Sequence, residues 1–256
     1  MKDQYLRTGI LLGPEAMERL RHCHVAVFGV GGVGGYAVEA LARSGVGRLD
    51  LIDDDRVAET NLNRQIIALR STLGQYKVDA FRNRVRDIDP DIEVTAFPVF
   101  YLPEIADRFD LSRYDLVIDA VDTVTAKIDL IVRCREAGVP ILSALGCGNR
   151  FDPTRLVVTD IYKTHTDPLA KVLRTELRKR GIPGLTVVYS EEPPILPAQE
   201  LLKALEAEKA ASGRRSIPGS TAFVPSAAGL ILASEAVRLL TDFDPARDGR
   251  LRGGHQ

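Results

Sequence analysis

Residues 25–34, Val25-Ala26-Val27-Phe28-Gly29-Val30-Gly31-Gly32-Val33-Gly34, decide the fold of this chain. The apolar residues are typical of a buried strand, and the glycines that follow lead into an apolar helical pattern. Glycine permits positive φ angles and a close approach of the backbone, and a helix N-terminus offers unpaired N–H groups to phosphate. The stretch therefore predicts a strand, a phosphate-binding turn and a helix in succession.

The same alternation of short β runs with helical patterns continues along the chain. Strands are predicted at 25–28, 48–52, 93–97, 116–119 and 139–144, with less regular ones at 155–161 and 185–189. Helices are predicted at about 76–88, 123–137 and 168–180. Such alternation favours parallel βαβ units. We expect an α/β, Rossmann-like fold, with a largely parallel sheet, helices on both faces and an irregular C-terminal extension of the same domain.

The composition indicates one globular domain of 256 residues. Lys and Arg number 34 against 35 for Asp and Glu, so a nucleic-acid partner must bind a local basic patch. We expect a nucleotide-binding half at 1–150 and a substrate-side and dimer half at 151–256, with a mobile connection at 190–216. The apolar run at 222–240 is interrupted by Glu235 and Arg238, which predicts a buried or dimer-facing helix and no membrane association.

Polar residues after the second predicted strand narrow the class of nucleotide. A glycine loop with an acidic residue such as Asp53 serves NAD, FAD or ATP equally well. The stretch Asp53-Asp54-Asp55 is followed by the run Asn61-Leu62-Asn63-Arg64-Gln65 and by Lys77. Arg64 and Lys77 are cations that a dehydrogenase does not need. Fixed cations stabilise the charge that develops on a departing pyrophosphate. Asp122, at the end of a predicted strand, is a candidate magnesium ligand.

These motifs carry a family resemblance. GVGGVGG, DDD, TNLNRQ, the Lys77 region and DAVDT resemble the ubiquitin-activating-like (ThiF/MoeB/HesA) adenylating superfamily. Within it, YLRTGILLG, GCGNRFDPTR and VTDIYKTHTDPLAKVLR are most similar to the tRNA threonylcarbamoyladenosine dehydratases. The resemblance covers most of residues 5–240.

The resemblance implies a role for each matching residue. Asp53 holds the ribose, Asp122 holds Mg²⁺, and Arg7 reaches the nucleotide of the partner subunit, which implies a homodimer. Arg7, Arg64, Lys77 and Asp122 are therefore the candidate catalytic residues. The set expected to line ATP and contact its phosphates is Gly29, Gly31, Gly32, Gly34, Asp53, Asp55, Asn61, Arg64, Gln65 and Lys77.

The cysteines set this chain apart from the sulfur-carrier branch of the superfamily. That branch usually holds zinc with two CxxC pairs, and this sequence has no CxxC, so we expect no structural zinc. Cys23 and Cys134 are predicted to be buried and inert, whereas for Cys147 a buried and an exposed position are equally expected. Widely spaced cysteines and the absence of a secretory signal before Gly9 favour the cytoplasm.

A tRNA substrate should leave a one-sided basic element. In the predicted helix at 168–180, Leu169, Val172, Leu173 and Leu177 form an apolar stripe, and the opposite face carries Lys171, Arg174 and Arg178. These three residues are the candidate RNA contacts, although a solvated surface explains them equally well. His165 precedes the helix and is either a surface residue or a proton carrier.

Together these features predict an ATP-dependent dehydration of N6-threonylcarbamoyladenosine in tRNA through an acyl adenylate. The alternative is adenylation of the C-terminal glycine of a ubiquitin-like sulfur-carrier protein, which uses the same nucleotide residues. A non-catalytic NAD-binding protein would use only the glycine loop and Asp53. The residues leave open whether a sulfur-transfer protein also docks.

Overall fold

The computed structural model describes residues 2–204 and 218–248 of the chain. The strands are β1 (His24–Phe28), β2 (Arg48–Ile52), β3 (Glu93–Phe97), β4 (Leu116–Asp119), β5 (Ile141–Ala144), β6 (Leu156–Asp160) and β7 (Thr186–Ser190). The helices are α1 (Leu6–Leu12), α2 (Pro14–His22), α3 (Gly34–Ser44), α4 (Lys77–Ile88), α5 (Val124–Ala137), α6 (Pro168–Lys179), α7 (Gln199–Ala204), α8 (Val224–Thr241) and α9 (Pro245–Asp248).

One sheet contains these seven strands in the order β3–β2–β1–β4–β5–β7–β6. Five pairings are parallel, and only the pairing of β6 with β7 is antiparallel. Phe28 lies opposite Ile52 on one side and Asp119 on the other, so three strand ends meet at one edge. The amide of Gly29 donates to the carbonyl of Ile52 (2.8 Å), and that of Ala120 donates to Phe28 (2.8 Å). The register therefore brings the loops after β1, β2 and β4 together.

Helices cover both faces of the sheet, as predicted. Alternate residues of β1 point to opposite faces. Val25 and Val27 join the hydrophobic cluster that includes α3 and α8, whereas Ala26 and Phe28 join the one that includes α5. The predicted largely parallel, Rossmann-like sheet is confirmed.

Helix α8 packs in the core, as predicted for the apolar run. Within the described ranges it is the helix long and apolar enough to span a membrane. Its inner side is nevertheless inside the protein, where small residues allow close packing on α3. The buried residues of α8 are Val224, Pro225, Ala228, Gly229, Leu232, Ala233, Ala236 and Thr241.

Helix α7 lies within the stretch 190–216 that the sequence predicts to be a mobile connection, and residues 205–217 of that stretch lie outside the described residues. One local prediction was wrong. Val172 was assigned to the apolar stripe of α6, yet 45% of it is exposed. Adjacent residues of a helix lie about 100° apart, and the buried face of α6 centres on Ala170, Leu173 and Leu177.

Candidate nucleotide-binding site

The glycine turn after β1 is set by contacts that exclude side chains. Gly29 has φ +84°, and a Cβ there would lie 2.6 Å from the carbonyl oxygen of Ala120. A Cβ on Gly34 would lie 1.8 Å from the carbonyl oxygen of Gly29. The fold therefore requires these two glycines, whereas Gly31 and Gly32 line the cleft that the turn helps to form.

Asp53 locks this turn to the end of β2. Its carboxylate accepts hydrogen bonds from the amides of Val30 (2.8 Å) and Asp55 (2.9 Å). Burial raises the pKa of Asp53 above its usual value, although the nearby Lys77 ammonium acts in the opposite direction. The sequence predicted a ribose ligand here and missed that the same carboxylate shapes the glycine turn.

Lys77 begins α4 and is buried between two carboxylates. Its Nζ lies 2.6 Å from Oδ2 of Asp55 and 4.0 Å from Oδ1 of Asp53. Its amide also donates to the carbonyl of Asp55 (3.0 Å). Lys77 as a whole is only 3% exposed, and Asp55 holds its ammonium in one place at the cleft.

The run 61–65 supplies three further side chains to the same cleft. Arg64 Nη1 donates to the Thr60 carbonyl (2.9 Å) and to Oδ1 of Asn63 (2.8 Å). Oδ1 of Asn61 accepts from the amide of Ala58 (3.1 Å). Gln65 is buried, and its Oε1 has no hydrogen-bond partner among the described residues. A buried amide oxygen of this kind suits a hydroxyl or amino donor on a ligand.

The end of β4 carries two aspartates with different environments. Asp122 is exposed and lines the cleft. Asp119 is fully buried, and its Oδ2 accepts from Nζ of Lys127 (2.8 Å) and Oγ of Ser143 (2.6 Å). A charge on a buried strand is stable only with such partners.

Lys127 and Ser143 are positioning residues that the sequence analysis missed. They fix Asp119, whose Oδ1 accepts from the amide of Val121 (3.3 Å) in the loop that carries Asp122. The available signal was a lysine within the apolar face of α5, where an unpaired ammonium would be costly.

These residues surround one cleft of about 400 Å³ at the carboxyl edge of the sheet. Ligands of open α/β sheets bind at this edge. We call Gly29, Gly31, Gly32 and Gly34 of the glycine loop, together with Asp53, Asp55, Asn61, Arg64, Gln65, Lys77 and Asp122, the nucleotide wall. All of these residues except Gly34 line the cleft. The far wall consists of Cys147, Gly148, Pro218, Ser220 and Pro225.

Cys147 lies on the far wall but is buried. Burial raises the pKa of its thiol to about 12, and the charge of Asp167 acts in the same direction. Of the two positions expected for Cys147, the exposed one is wrong, because the turn after β5 packs against the core. The thiol is protonated at neutral pH and is a poor nucleophile. Cys23 and Cys134 are buried as predicted.

Arg7 and the basic residues of α6 lie away from the residues that line this cleft. Arg7 is exposed on α1. On α6, Lys171 and Arg178 are exposed, with the Arg178 guanidinium 5.0 Å from the ring centre of Tyr162. Arg174 instead donates to the Thr164 carbonyl (2.9 Å), which gives it a structural contact.

A larger depression of about 740 Å³ lies at the opposite, amino edge of the sheet. Its lining includes Tyr5, Arg48 and Asp89, and it contains none of the predicted nucleotide residues. We therefore assign nucleotide binding to the smaller cleft, where the predicted residues converge.

Comparison with known proteins gives matches over nearly the whole chain. The model of the ThiF family matches residues 5–253. A tRNA threonylcarbamoyladenosine dehydratase of Bacillus subtilis is 47% identical over 250 residues, which are 96% of this chain and 98% of that protein. The crystal structure of the Escherichia coli tRNA N6-threonylcarbamoyladenosine dehydratase with ATP superimposes with a TM-score of 0.82 at 35% identity, covering 96% of both chains.

A relative from the sulfur-carrier branch matches a smaller part of the chain. The sulfur carrier protein adenylyltransferase of Thermus thermophilus is 38% identical over 122 residues, which are 47% of this chain and 45% of that protein.

Proposed function

The chain belongs to the ThiF family, and from this membership and the cleft we propose that it is an ATP-dependent dehydratase that cyclises N6-threonylcarbamoyladenosine in tRNA. The observation that carries the proposal is that one cleft contains the cations for phosphate transfer, while its cysteine has a protonated, buried thiol. The chemistry therefore needs a carboxylate already present on the substrate and no covalent link to the enzyme.

The first step activates the carboxylate of the threonyl group. A carboxylate oxygen attacks the α-phosphorus of ATP, and the bond from that phosphorus to the oxygen bridging the β-phosphate breaks. Pyrophosphate leaves with the electron pair. Arg64 and the held ammonium of Lys77 stabilise the negative charge that moves onto it, mainly by being fixed in place before the reaction.

The second step closes the ring. A nucleophilic atom of the carbamoyl group of the same nucleoside attacks the acyl carbonyl, the bond from that carbon to the AMP oxygen breaks, and one proton is released. The water that the nucleoside loses therefore does not appear as free water, because one carboxylate oxygen leaves within AMP. Gains in effective concentration from holding both groups in one cleft favour this intramolecular closure.

Asp122 would hold magnesium, as the sequence predicts. Its carboxylate is exposed and lines the cleft, where a metal ion bound with ATP can reach it. Mg²⁺ usually binds one or two carboxylates together with substrate phosphates. When bound there, it would supply positive charge to the phosphates of ATP. We retain the sequence-based expectation that no structural zinc is present.

The assembly and partners form the remaining part of the proposal. Leu6, Ile10 and Leu11 of α1 are 45%, 81% and 76% exposed, and burying this apolar surface against a second copy would bring Arg7 to a partner. This surface supports a homodimer in which Arg7 acts in trans. We place the tRNA on the exposed basic side of α6, at Lys171 and Arg178, and the protein in the cytoplasm, without membrane attachment.

Oxygen labelling tests the route. tRNA carrying threonylcarbamoyladenosine with ¹⁸O in the threonyl carboxylate is incubated with the protein, ATP and Mg²⁺, and the nucleosides and AMP are analysed by mass spectrometry. We expect ATP-dependent loss of one water from the nucleoside and ¹⁸O in AMP. Label in inorganic phosphate would contradict adenylation. An unchanged nucleoside, together with pyrophosphate exchange that depends on a carrier protein ending in Gly-Gly, would favour the sulfur-carrier alternative.

A further inference from the structure

The order of strands assigns the far wall to the acceptor. Across the sheet, β2 carries Asp53 for the ribose, β1 and β4 carry the glycine loop and Asp122 for the phosphates, and β5 leads to Cys147 and Gly148. A nucleotide with its ribose at Asp53 and its α-phosphate at the glycine loop and Asp122 leaves the far wall, beside the loop after β5, for a second substrate. The group that attacks that phosphate therefore enters beside the far wall.

The far wall is held by one asparagine that binds both backbone polar groups of a single residue, Gly219. The amide of Asn149 donates to the carbonyl of Gly219 (2.8 Å), and the amide of Gly219 donates to Oδ1 of Asn149 (2.7 Å). The carbonyl of Asn149 also accepts from the amide of Ile195 (2.8 Å). Asn149 thus connects the loop after β5 to two stretches of chain, at 195 and at 218–220, that are far from it in sequence.

Asn149 adopts the backbone conformation that this contact needs. Its φ of +57° lies in the left-handed region, which asparagine tolerates better than most residues. Gly148, before it, leaves room for the returning chain, since a Cβ there would lie 2.6 Å from Cβ of Pro218. Sequence and backbone therefore cooperate to seat Pro218 and Ser220 at the cleft.

A second contact joins this segment to the phosphate side. Nδ2 of Asn63 donates to the carbonyl of Ser220 (3.0 Å), and Oδ1 of the same Asn63 accepts from Arg64 (2.8 Å). The segment at 218–220 is therefore hydrogen-bonded to Asn149 through Gly219 and to Asn63 through Ser220. A shift of this segment would change the distance between the acceptor and the phosphate-binding side chains.

We propose that Asn149 is a positioning residue for the tRNA acceptor: through its paired hydrogen bonds with Gly219 it sets the wall against which the threonylcarbamoyl group is placed for attack on ATP. This inference rests on the proposed function. Asn149 is not among the described residues that line the cleft, and its hydrogen bonds with Gly219 and Ile195 act on the far wall, so we expect it to affect the tRNA acceptor and not ATP.

The test uses Asn149→Gly in the full-length protein. Glycine adopts the left-handed backbone readily and removes the whole side chain, including the Oδ1 that accepts from Gly219. Asn149→Asp keeps an acceptor oxygen and serves as the conservative rescue. Asn83→Gly, at an exposed position of α4, is the matched control, because glycine within a helix lowers stability without touching the cleft. The KM and kcat for threonylcarbamoyladenosine-containing tRNA, the affinity for ATP and the melting temperature are measured for all four proteins.

We expect Asn149→Gly to raise the KM for the tRNA about fivefold, the typical effect of losing one hydrogen bond, with unchanged ATP affinity. Asn149→Asp should restore the wild-type KM. If Asn149→Gly behaves like Asn83→Gly, with a lower melting temperature and no selective change in KM, the inference is wrong. If wild type itself shows no ATP-dependent loss of water, the proposed function fails instead.

A second variant decides the matter if Asn149→Gly does not fold. Gly148→Ala would push against Pro218 and displace the same wall while Asn149 is intact. The inference expects the same selective rise in KM for the tRNA, and an unchanged KM in this variant would overturn it.

Discussion

The nucleotide wall is held by charged side chains, whereas the far wall is held by peptide groups and asparagines. On the first, Lys77 lies between Asp53 and Asp55, and the buried Lys127 fixes Asp119. On the second, Asn149 and Gly219 exchange two hydrogen bonds. Charged groups at fixed spacing suit the binding of phosphates. All nucleotides carry phosphates, so this wall does not by itself select one substrate. Backbone contacts between distant stretches set the shape of the far wall, against which we propose that the acceptor binds.

Lys127→Met should produce the largest loss of stability. It leaves the Asp119 carboxylate buried without its cation, and breaking a buried pair in this way costs about 3–5 kcal/mol. Urea unfolding measures the change, with the exposed Lys163→Met as control. A loss below about 1 kcal/mol would show that the charged network does not hold this wall.

Arg64→Ala should lower turnover by about a hundredfold to a thousandfold with the fold intact, because a fixed cation at the transition state is lost. Arg70→Ala is the matched control, since Arg70 lies on the same loop and pairs with Glu59 at the surface. It should retain wild-type turnover. If the two variants have equal turnover, Arg64 does not stabilise the phosphates in the transition state.

Arg7→Ala and Arg64→Ala should complement one another if Arg7 acts in trans. Each homodimer is inactive, but in a mixed dimer one site has both arginines. Coexpression with separate tags and free assembly should then return about a quarter of wild-type turnover, since half the dimers are mixed and each has one intact site. No recovery would place Arg7 in cis or outside the site.

Cys147→Ala should keep turnover within about twofold of wild type, because the buried thiol has a pKa of about 12 and forms no covalent intermediate. Turnover assays and a search for an enzyme-bound thioester by intact-protein mass spectrometry test this. A loss of turnover by several orders of magnitude would show that Cys147 takes part in the reaction, and it would favour the sulfur-carrier alternative.

Two carboxylates should show small pH effects of opposite sign. Burial raises the folded-state pKa of Asp53, so its contribution to stability is present at low pH and is lost as pH rises through that pKa. Burial opposes ionisation of Glu39 as well, but hydrogen bonds from Arg84 and Arg43 outweigh it and lower the pKa, so its contribution is lost as pH falls below about 4.5.

Urea unfolding between pH 4 and 7 checks both directions. As pH falls, wild type should gain stability relative to Asp53→Asn and lose stability relative to Glu39→Gln. If both differences had the same sign, the pKa of Asp53 would not be raised while that of Glu39 is lowered.

The sequence by itself determined the parallel sheet and most of the nucleotide wall. Strand and helix periodicity reflect which faces are buried, so the elements can be predicted from the sequence. The residues from Gly29 to Lys77 lie close together along the chain, in and just after one βαβ unit, and the loops of such a unit bring them to one edge of the sheet. It did not predict the burial of Asp119, because periodicity does not say whether a carboxylate at the end of a strand contacts solvent or a lysine such as Lys127.

Only the tertiary structure decided the far wall. Asn149 and Gly219 are 70 positions apart, and no local pattern encodes that their peptide groups meet. The burial of Cys147 and the exposure of Val172 likewise depend on how the turn after β5 and helix α6 pack on neighbours. Contacts between distant segments arise from the packing of the whole domain, whereas motifs record only the chemistry of adjacent residues.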